Sequence, residues 1–276
     1  MASGSYIDSS RDETTIEVSG LQVHIRGCIS VAFSKILNPD LVFLLHGRTS
    51  DAEALRDMGT AILAANPETL VVSFDQRNHG HRILNPKANL TWADGNDMHA
   101  QDMCLHLATQ VSIQYGTSLD VSLLIDLLPM FISPDERYVF RHIFCVGVSL
   151  GGHATYHVLS NEPRVNAGVV IIGCPDTAAL LQMRVHAKDS RKLMPSSFLA
   201  TVRRLQPNNE EVAKKSVLII KGNEDNLVPW EPSQTFVEQL PKARVQVIGY
   251  DGIGHALTKA MQEDTAKWIQ DFRKRS

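Results

Sequence analysis

Paired cysteines are missing. Cys28, Cys104, Cys145 and Cys174 are widely spaced, with no Cys-X-X-Cys among them. That excludes a disulfide-stapled scaffold and leaves free buried thiols in a reducing compartment as the expectation. A leader is missing too: Met1 to Glu13 is polar and Ser-rich, without an apolar core or a basic amphipathic pattern, and is expected to be disordered. No run is read as long enough to span a bilayer. The net charge of -3 offers no general attraction for nucleic acid or an acidic membrane. Arg273-Lys274-Arg275, the one basic cluster, reads as a solvated helix end. No Gly-X-Gly-X-X-Gly follows a strand, which removes the dinucleotide-binding fingerprint. His-Glu-X-X-His is absent, and His79-Gly80-His81 has no matching ligand cluster, so neither metal nor cofactor is expected. What remains is a soluble, cytoplasmic chain acting on a small molecule, with its oligomeric state open.

The 276 residues are 43% hydrophobic, enough for one large core, and residues 14–276 read as a single domain. Thr14–Val18 and Leu21–Arg26 alternate apolar and polar residues around Ser19-Gly20, the pattern of an edge hairpin. Ile29 to Ile36 reads as a further strand. Leu41–Leu45, Leu70–Phe74, Arg141–Val148, Ala167–Gly173, Val217–Ile220 and Val245–Ile248 are nearly continuous apolar runs, as in strands buried on both faces of a parallel sheet. Helical periodicity covers 52–65, 97–114, 119–131, 150–160, 232–240 and 256–272, with Pro129 and Pro134 ending the third. Residues 174–215 hold no strand, only helical patterns at Thr177–His186 and Ser196–Leu205, and read as a small lid insertion. Strands alternating with helices mean a mostly parallel, doubly wound α/β sheet. Such sheets bind ligands beyond the carboxyl ends of their strands.

The chemistry gathers at those ends. Gly147-Val148-Ser149-Leu150-Gly151 sits between a strand and a helix, the setting of a nucleophile elbow. A serine there must hold a backbone conformation costing about 1–3 kcal/mol, and glycines flank it where a Cβ would collide. A serine hydroxyl needs an imidazole to take its proton and a carboxylate to orient that imidazole. His255 follows the last strand in Tyr250-Asp251-Gly252-Ile253-Gly254-His255 and is the candidate base. His153 and His157, on the helix after the elbow, read as packing or surface residues. Asp225, in Gly222-Asn223-Glu224-Asp225-Asn226-Leu227-Val228-Pro229, is the candidate acid. Asp176 is its rival, but it stands where it would cap the helix starting at Thr177. The backbone N–H groups of Leu150 and Arg48 are the candidate oxyanion donors. The Arg48 side chain reads either as solvated or as a partner for an acidic substrate group.

Taken together, His46-Gly47, the elbow, Gly222 to Pro229 and Gly254-His255 make the chain resemble an α/β-hydrolase-fold serine hydrolase, from about Leu41 to Phe272. Asp75-Gln76-Arg77-Asn78-His79-Gly80 resembles the Asp-X-Arg-X-X-Gly segment frequent in that superfamily, where it buttresses the site. Gly151–Thr155 and Ile172–Asp176 also look similar to small intracellular fungal hydrolases. The resemblance implies carboxylesterase-like cleavage of a small ester through an acyl-enzyme. The alternatives are a thioesterase or carbon–carbon bond hydrolase, or a ligand-binding protein, lyase or acyltransferase on the same fold. Trp92, Leu180, Met183, Met194 and Phe198 are the apolar candidates for the substrate pocket.

Overall fold

Alternation and continuity of apolar residues both become strands of one sheet. In a computed structural model describing residues 13–27, 38–89, 103–132, 139–188 and 196–275, the amphipathic pair forms β1 (Glu13–Val18) and β2 (Leu21–Gly27), an antiparallel hairpin. The apolar runs form β3 (Asp40–Leu45), β4 (Thr69–Phe74), β5 (Ile143–Val148), β6 (Ala167–Ile171), β7 (Ser216–Gly222) and β8 (Val245–Tyr250). The order is β1-β2-β4-β3-β5-β6-β7-β8, with β2 antiparallel to β4 and every later pairing parallel. Winding reverses at β3, which has β4 on one side and β5 on the other. The crevice a ligand would use therefore opens above the ends of β3 and β5.

Successive residues of one strand feed opposite cores, because side chains alternate across the pleat. Leu41, Phe43 and Leu45 join a core with Tyr156, Val158 and Leu128, whereas Val42 and Leu44 join one with Met58, Ile62 and Trp268. The first face is covered by α2 (Met103–Ile132) and α3 (Leu150–Asn161). The second is covered by α1 (Arg56–Ala65) and α8 (Lys259–Arg275). A 3₁₀ turn over Ala52–Leu55 leads into α1. The remaining helices are α4 (Thr177–Lys188), α5 (Ser196–Leu205), the single turn α6 (Asn209–Val212) and α7 (Glu231–Glu238). β8 closes the sheet as an edge strand, pairing with β7 and leaving Gln246, Val247 and Gly249 exposed.

Three expectations are corrected. The two helical patterns at 97–114 and 119–131 meet in the single helix α2, with Pro129 inside it. Gly116, at the expected break, gives the Arg77 guanidinium room to lie against the helix: a Cβ there would be 2.5 Å from it. Arg77 and Arg82 pair with Asp120 one turn further on, at 3.1 and 3.0 Å. Pro129 falls in the last turn, flanked by the buried Leu128 and Ile132 that hold the helix end against the core. The stretch Val111–Ile132 is, by length and composition alone, apolar enough to cross a membrane. Half of its apolar window is nevertheless buried within this protein. Glu13, assigned to a disordered tail, instead opens β1 and pairs with Arg26 and Arg56. The stretch 29–36 lies outside the described residues.

The third correction concerns Arg273. It is no solvated helix end but an ion-pair partner of Asp40, a carboxylate with no exposed surface at the start of β3. Arg141 grips the same carboxylate with two hydrogen bonds of 3.0 and 3.1 Å, and His142 Nδ1 lies 3.0 Å from it. Removing the acid would take the shared partner from the exposed Arg141 and the partly buried Arg273, leaving Glu68 as the carboxylate both still reach. Asp40→Ala is therefore expected to lower unfolding free energy by about 1–3 kcal/mol, read from urea denaturation followed by far-UV circular dichroism.

Candidate active site

Ser149 holds φ 53° and ψ -111° between β5 and α3, a positive φ that non-glycine residues rarely adopt. The turn is possible because the residues two before and two after it, Gly147 and Gly151, have no side chains. A Cβ on Gly147 would lie 2.0 Å from the Gly151 carbonyl oxygen, and one on Gly151 would lie 2.0 Å from that of Leu45. The Gly151 N–H donates to His46 O at 3.1 Å, tying the elbow to the loop after β3. As the first residue of α3, Leu150 has an N–H with no partner inside the helix.

The loops after β7 and β8 bring the other two residues to the serine. Ser149 Oγ is 2.8 Å from His255 Nε2, and His255 Nδ1 is 2.7 Å from Asp225 Oδ2. The second carboxylate oxygen of Asp225 accepts the N–H groups of Leu227 and Val228 at 2.9 and 2.8 Å. Burial works to raise the Asp225 pKa. The His255 hydrogen bond and these N–H donors outweigh it and hold the carboxyl below its ordinary value. Such a chain can fix an imidazole's tautomer and let it take a hydroxyl proton. Asp176 is elsewhere: it caps α4 by accepting the Ala179 N–H at 2.8 Å, and it also binds Gln206.

Asp75 and His46 hold the loop after β3 from beneath. Asp75 accepts the N–H of Ala52 at 2.9 Å and that of His81 at 2.7 Å. Burial tends to raise its pKa, but the His81 and Ala52 donors bring it below normal. His46 is buried, which pushes its pKa down to about 4 and keeps the ring neutral. Its Nδ1–H donates to Gly47 O at 2.7 Å, while Nε2 accepts from the Gln76 N–H at 3.0 Å.

A tight concavity of about 20 Å³ lies beside the serine, lined by Arg48, Ser149, Leu150, His153, Arg184, Leu227 and Val228. A roomier one, about 420 Å³, is bounded by Lys242, Arg244 and Trp268 near the amino ends of β7 and β8, and Ser149 does not reach it.

No protein-family model matches the chain. A candidate esterase of Bacillus subtilis, YitV, is 22% identical over 247 residues, covering 84% of this chain and 89% of its own. Among solved structures, TT1662 from Thermus thermophilus superposes with a TM-score of 0.63 at 16% identity, over 95% of this chain and 98% of that one. The Pyrococcus furiosus esterase Pf2001 gives 0.59 at 20% identity, over 97% and 94% of the two chains. Acetyl xylan esterase 1 of Thermoanaerobacterium gives 0.62 at 16%, over 94% and 82%. The fold is that of the α/β-hydrolases. These relatives are bacterial and archaeal, and they lend no support to the fungal likeness.

Ser149, Leu150 and Arg48 all meet at the concavity, but the apolar candidates among the described residues, Leu180, Met183 and Phe198, do not line it. Leu180 and Met183 pack behind its wall against Cys174 and Val228, and Phe198 packs against Val111, Ala178 and Val202. Their apolar faces are used in seating α4 and α5. Trp92 and Met194 lie outside the described residues. Arg184 was missed, whereas His153, read as a packing or surface residue, is packed and also borders the concavity. His153 is one helical turn beyond the serine, buried with Nδ1 2.8 Å from the Cys174 backbone, and burial drives its pKa down to about 3. Its position four residues after Ser149 was the available signal.

The depressed Asp75 value gives a pH dependence. Its stabilising contribution is complete above the unfolded-state pKa near 4 and is lost as pH falls through the lower folded value. Asp75→Asn is therefore expected to destabilise the protein at pH 7, with the gap to wild type shrinking steadily below pH 4 in chemical denaturation series.

Proposed function

We propose that the chain is a serine hydrolase of carboxylesterase type, cleaving a small ester through an acyl-enzyme. The observation that carries this is the continuous hydrogen-bonded path from Ser149 Oγ through His255 to Asp225, at 2.8 and 2.7 Å. In this reading His255 takes the hydroxyl proton as Ser149 attacks the ester carbonyl, then returns it to the departing alcohol. Water attacks the acyl-enzyme by the same route in reverse. Asp225 stays ionised and steadies the imidazolium. The N–H groups of Leu150 and Arg48 receive the oxyanion, and both residues border the concavity beside the nucleophile. Esterase names among the relatives, YitV, Pf2001 and acetyl xylan esterase 1, weigh in the same direction.

A fluorophosphonate probe tests the nucleophile. Wild type is expected to label and Ser149→Ala is not; equal labelling of the two would sink the reading. On p-nitrophenyl acetate and butyrate, Ser149→Ala should lose at least about 10⁴-fold in kcat, and Asp225→Asn about 10⁴-fold through the wrong imidazole tautomer. Ser149-dependent labelling with no turnover of any acyl ester or thioester would instead favour an acyltransferase or another non-hydrolytic member of the fold.

A further inference from the structure

The sheet has two edges, and only one of them is guarded. An edge strand offers unpaired N–H and C=O groups to any other strand, and natural sheets blunt it with charge, proline, a bulge or a cover. β1 carries Glu13 and Glu17. β8, Val245-Gln246-Val247-Ile248-Gly249-Tyr250, carries no charge and no proline, pairs with β7 in unbroken register, and leaves Val247 42% exposed. The Val217 N–H donates to Arg244 O at 2.8 Å, and that of Asn223 to Tyr250 O at 2.9 Å. Because backbone direction alternates along a strand, Arg244, Gln246, Ile248 and Tyr250 turn their polar groups towards β7, while Val245, Val247 and Gly249 turn theirs outward.

Charge divides along this edge. Lys242 and Arg244 stand at its amino end, on a concavity that also holds Arg275 and has no carboxylate in its lining. Asp271, one turn before Arg275, is paired with Lys267. Asp251 stands at the carboxyl end, where Asn223 Nδ2 donates to it at 2.5 Å, and there Asp264 accepts the Tyr250 hydroxyl at 2.5 Å. Lys221 reaches Asn223, and no salt bridge joins it to Asp251 among the described residues. A strand positive at one end and negative at the other is complementary to its own inverted copy.

We propose that a second copy of the chain pairs with β8, edge to edge and antiparallel, about a two-fold axis at Val247. That register uses every outward-turned residue of both strands. Val247 meets its own counterpart and Val245 meets Gly249 of the other copy, each pair exchanging an N–H and a C=O. It also sets Lys242 and Arg244 of one copy on either side of Asp251 of the other. The two sheets become one, with the guarded β1 at both ends, so assembly stops at the dimer. The loop carrying His255 then leaves a strand held on both sides.

Sedimentation velocity on the full chain, from about 1 to 100 μM, is the test. Wild type is expected to be dimeric at the upper end; a monomer throughout, or species larger than a dimer, overturns the proposal. Val247→Pro removes an outward N–H and no hydrogen bond within the chain. It should be monomeric with an unchanged far-UV circular dichroism spectrum, and a folded variant that stays dimeric also counts against the pairing. Charge reversal decides the matter even where the proline unsettles the fold. Arg244→Glu and Asp251→Arg are each expected to weaken the dimer about tenfold, the contact being repeated by symmetry, and the double variant Arg244→Glu/Asp251→Arg to restore it. A dimer held by another surface, such as the exposed Leu119 and Met130 of α2, would ignore the single reversals or gain nothing from combining them, and either result sinks the idea.

Discussion

Everything at the carboxyl end of this sheet depends on how closely β5, α3 and β3 approach one another. The elbow leaves no room for a Cβ at Gly147 or Gly151, since each would sit 2.0 Å from a carbonyl oxygen. That contact forces Ser149 into its strained conformation and turns its hydroxyl out of the sheet. It also fixes the loop after β3 relative to the serine, because Gly151 donates to the His46 carbonyl. Ser149 and the loop after β3 are thereby one rigid object.

Two depressed carboxylates keep that object in place, and they do it in the same way. Asp75 and Asp225 each follow a strand, each is nearly inaccessible, and each accepts backbone N–H groups from a loop that would otherwise be free to move. Each also meets a histidine ring, His81 for Asp75 and His255 for Asp225. The ionised form is favoured by donors rather than by a formal cation alone, so each loop is ordered by the charge it surrounds.

The parallel strands were legible because burial on both faces leaves nearly unbroken apolar runs, and Leu41–Leu45 and Leu70–Phe74 match their strands to within one residue. The Ser149, Asp225 and His255 grouping was legible because each residue follows a strand, and strand ends are where such a sheet places ligands. What failed were side-chain contacts that join elements distant in sequence away from those strand ends. Nothing local announces that Gly116 makes room for Arg77, or that Arg273 reaches a carboxylate more than two hundred residues away. Leu180 and Phe198 were assigned to a pocket on hydrophobicity, yet hydrophobicity equally serves the packing of α4 and α5, and packing claimed them. Arg184 escaped notice for the converse reason, since a single arginine in a helical pattern looks like surface until its neighbours are known.

The position of β8 has a further consequence. His255 follows this strand, which within its own chain is held by one neighbour and leaves several of its residues to solvent. Ser149, by contrast, hangs from β5 in the middle of the sheet, and 106 positions of chain separate the two. Peeling of an edge strand opens far fewer contacts than melting a central one. The Ser149 hydroxyl would thus keep its place longer than the His255 ring it meets: warmed or mildly denatured, a single chain would lose that hydrogen bond by fraying at its margin while the greater part of its core stayed folded.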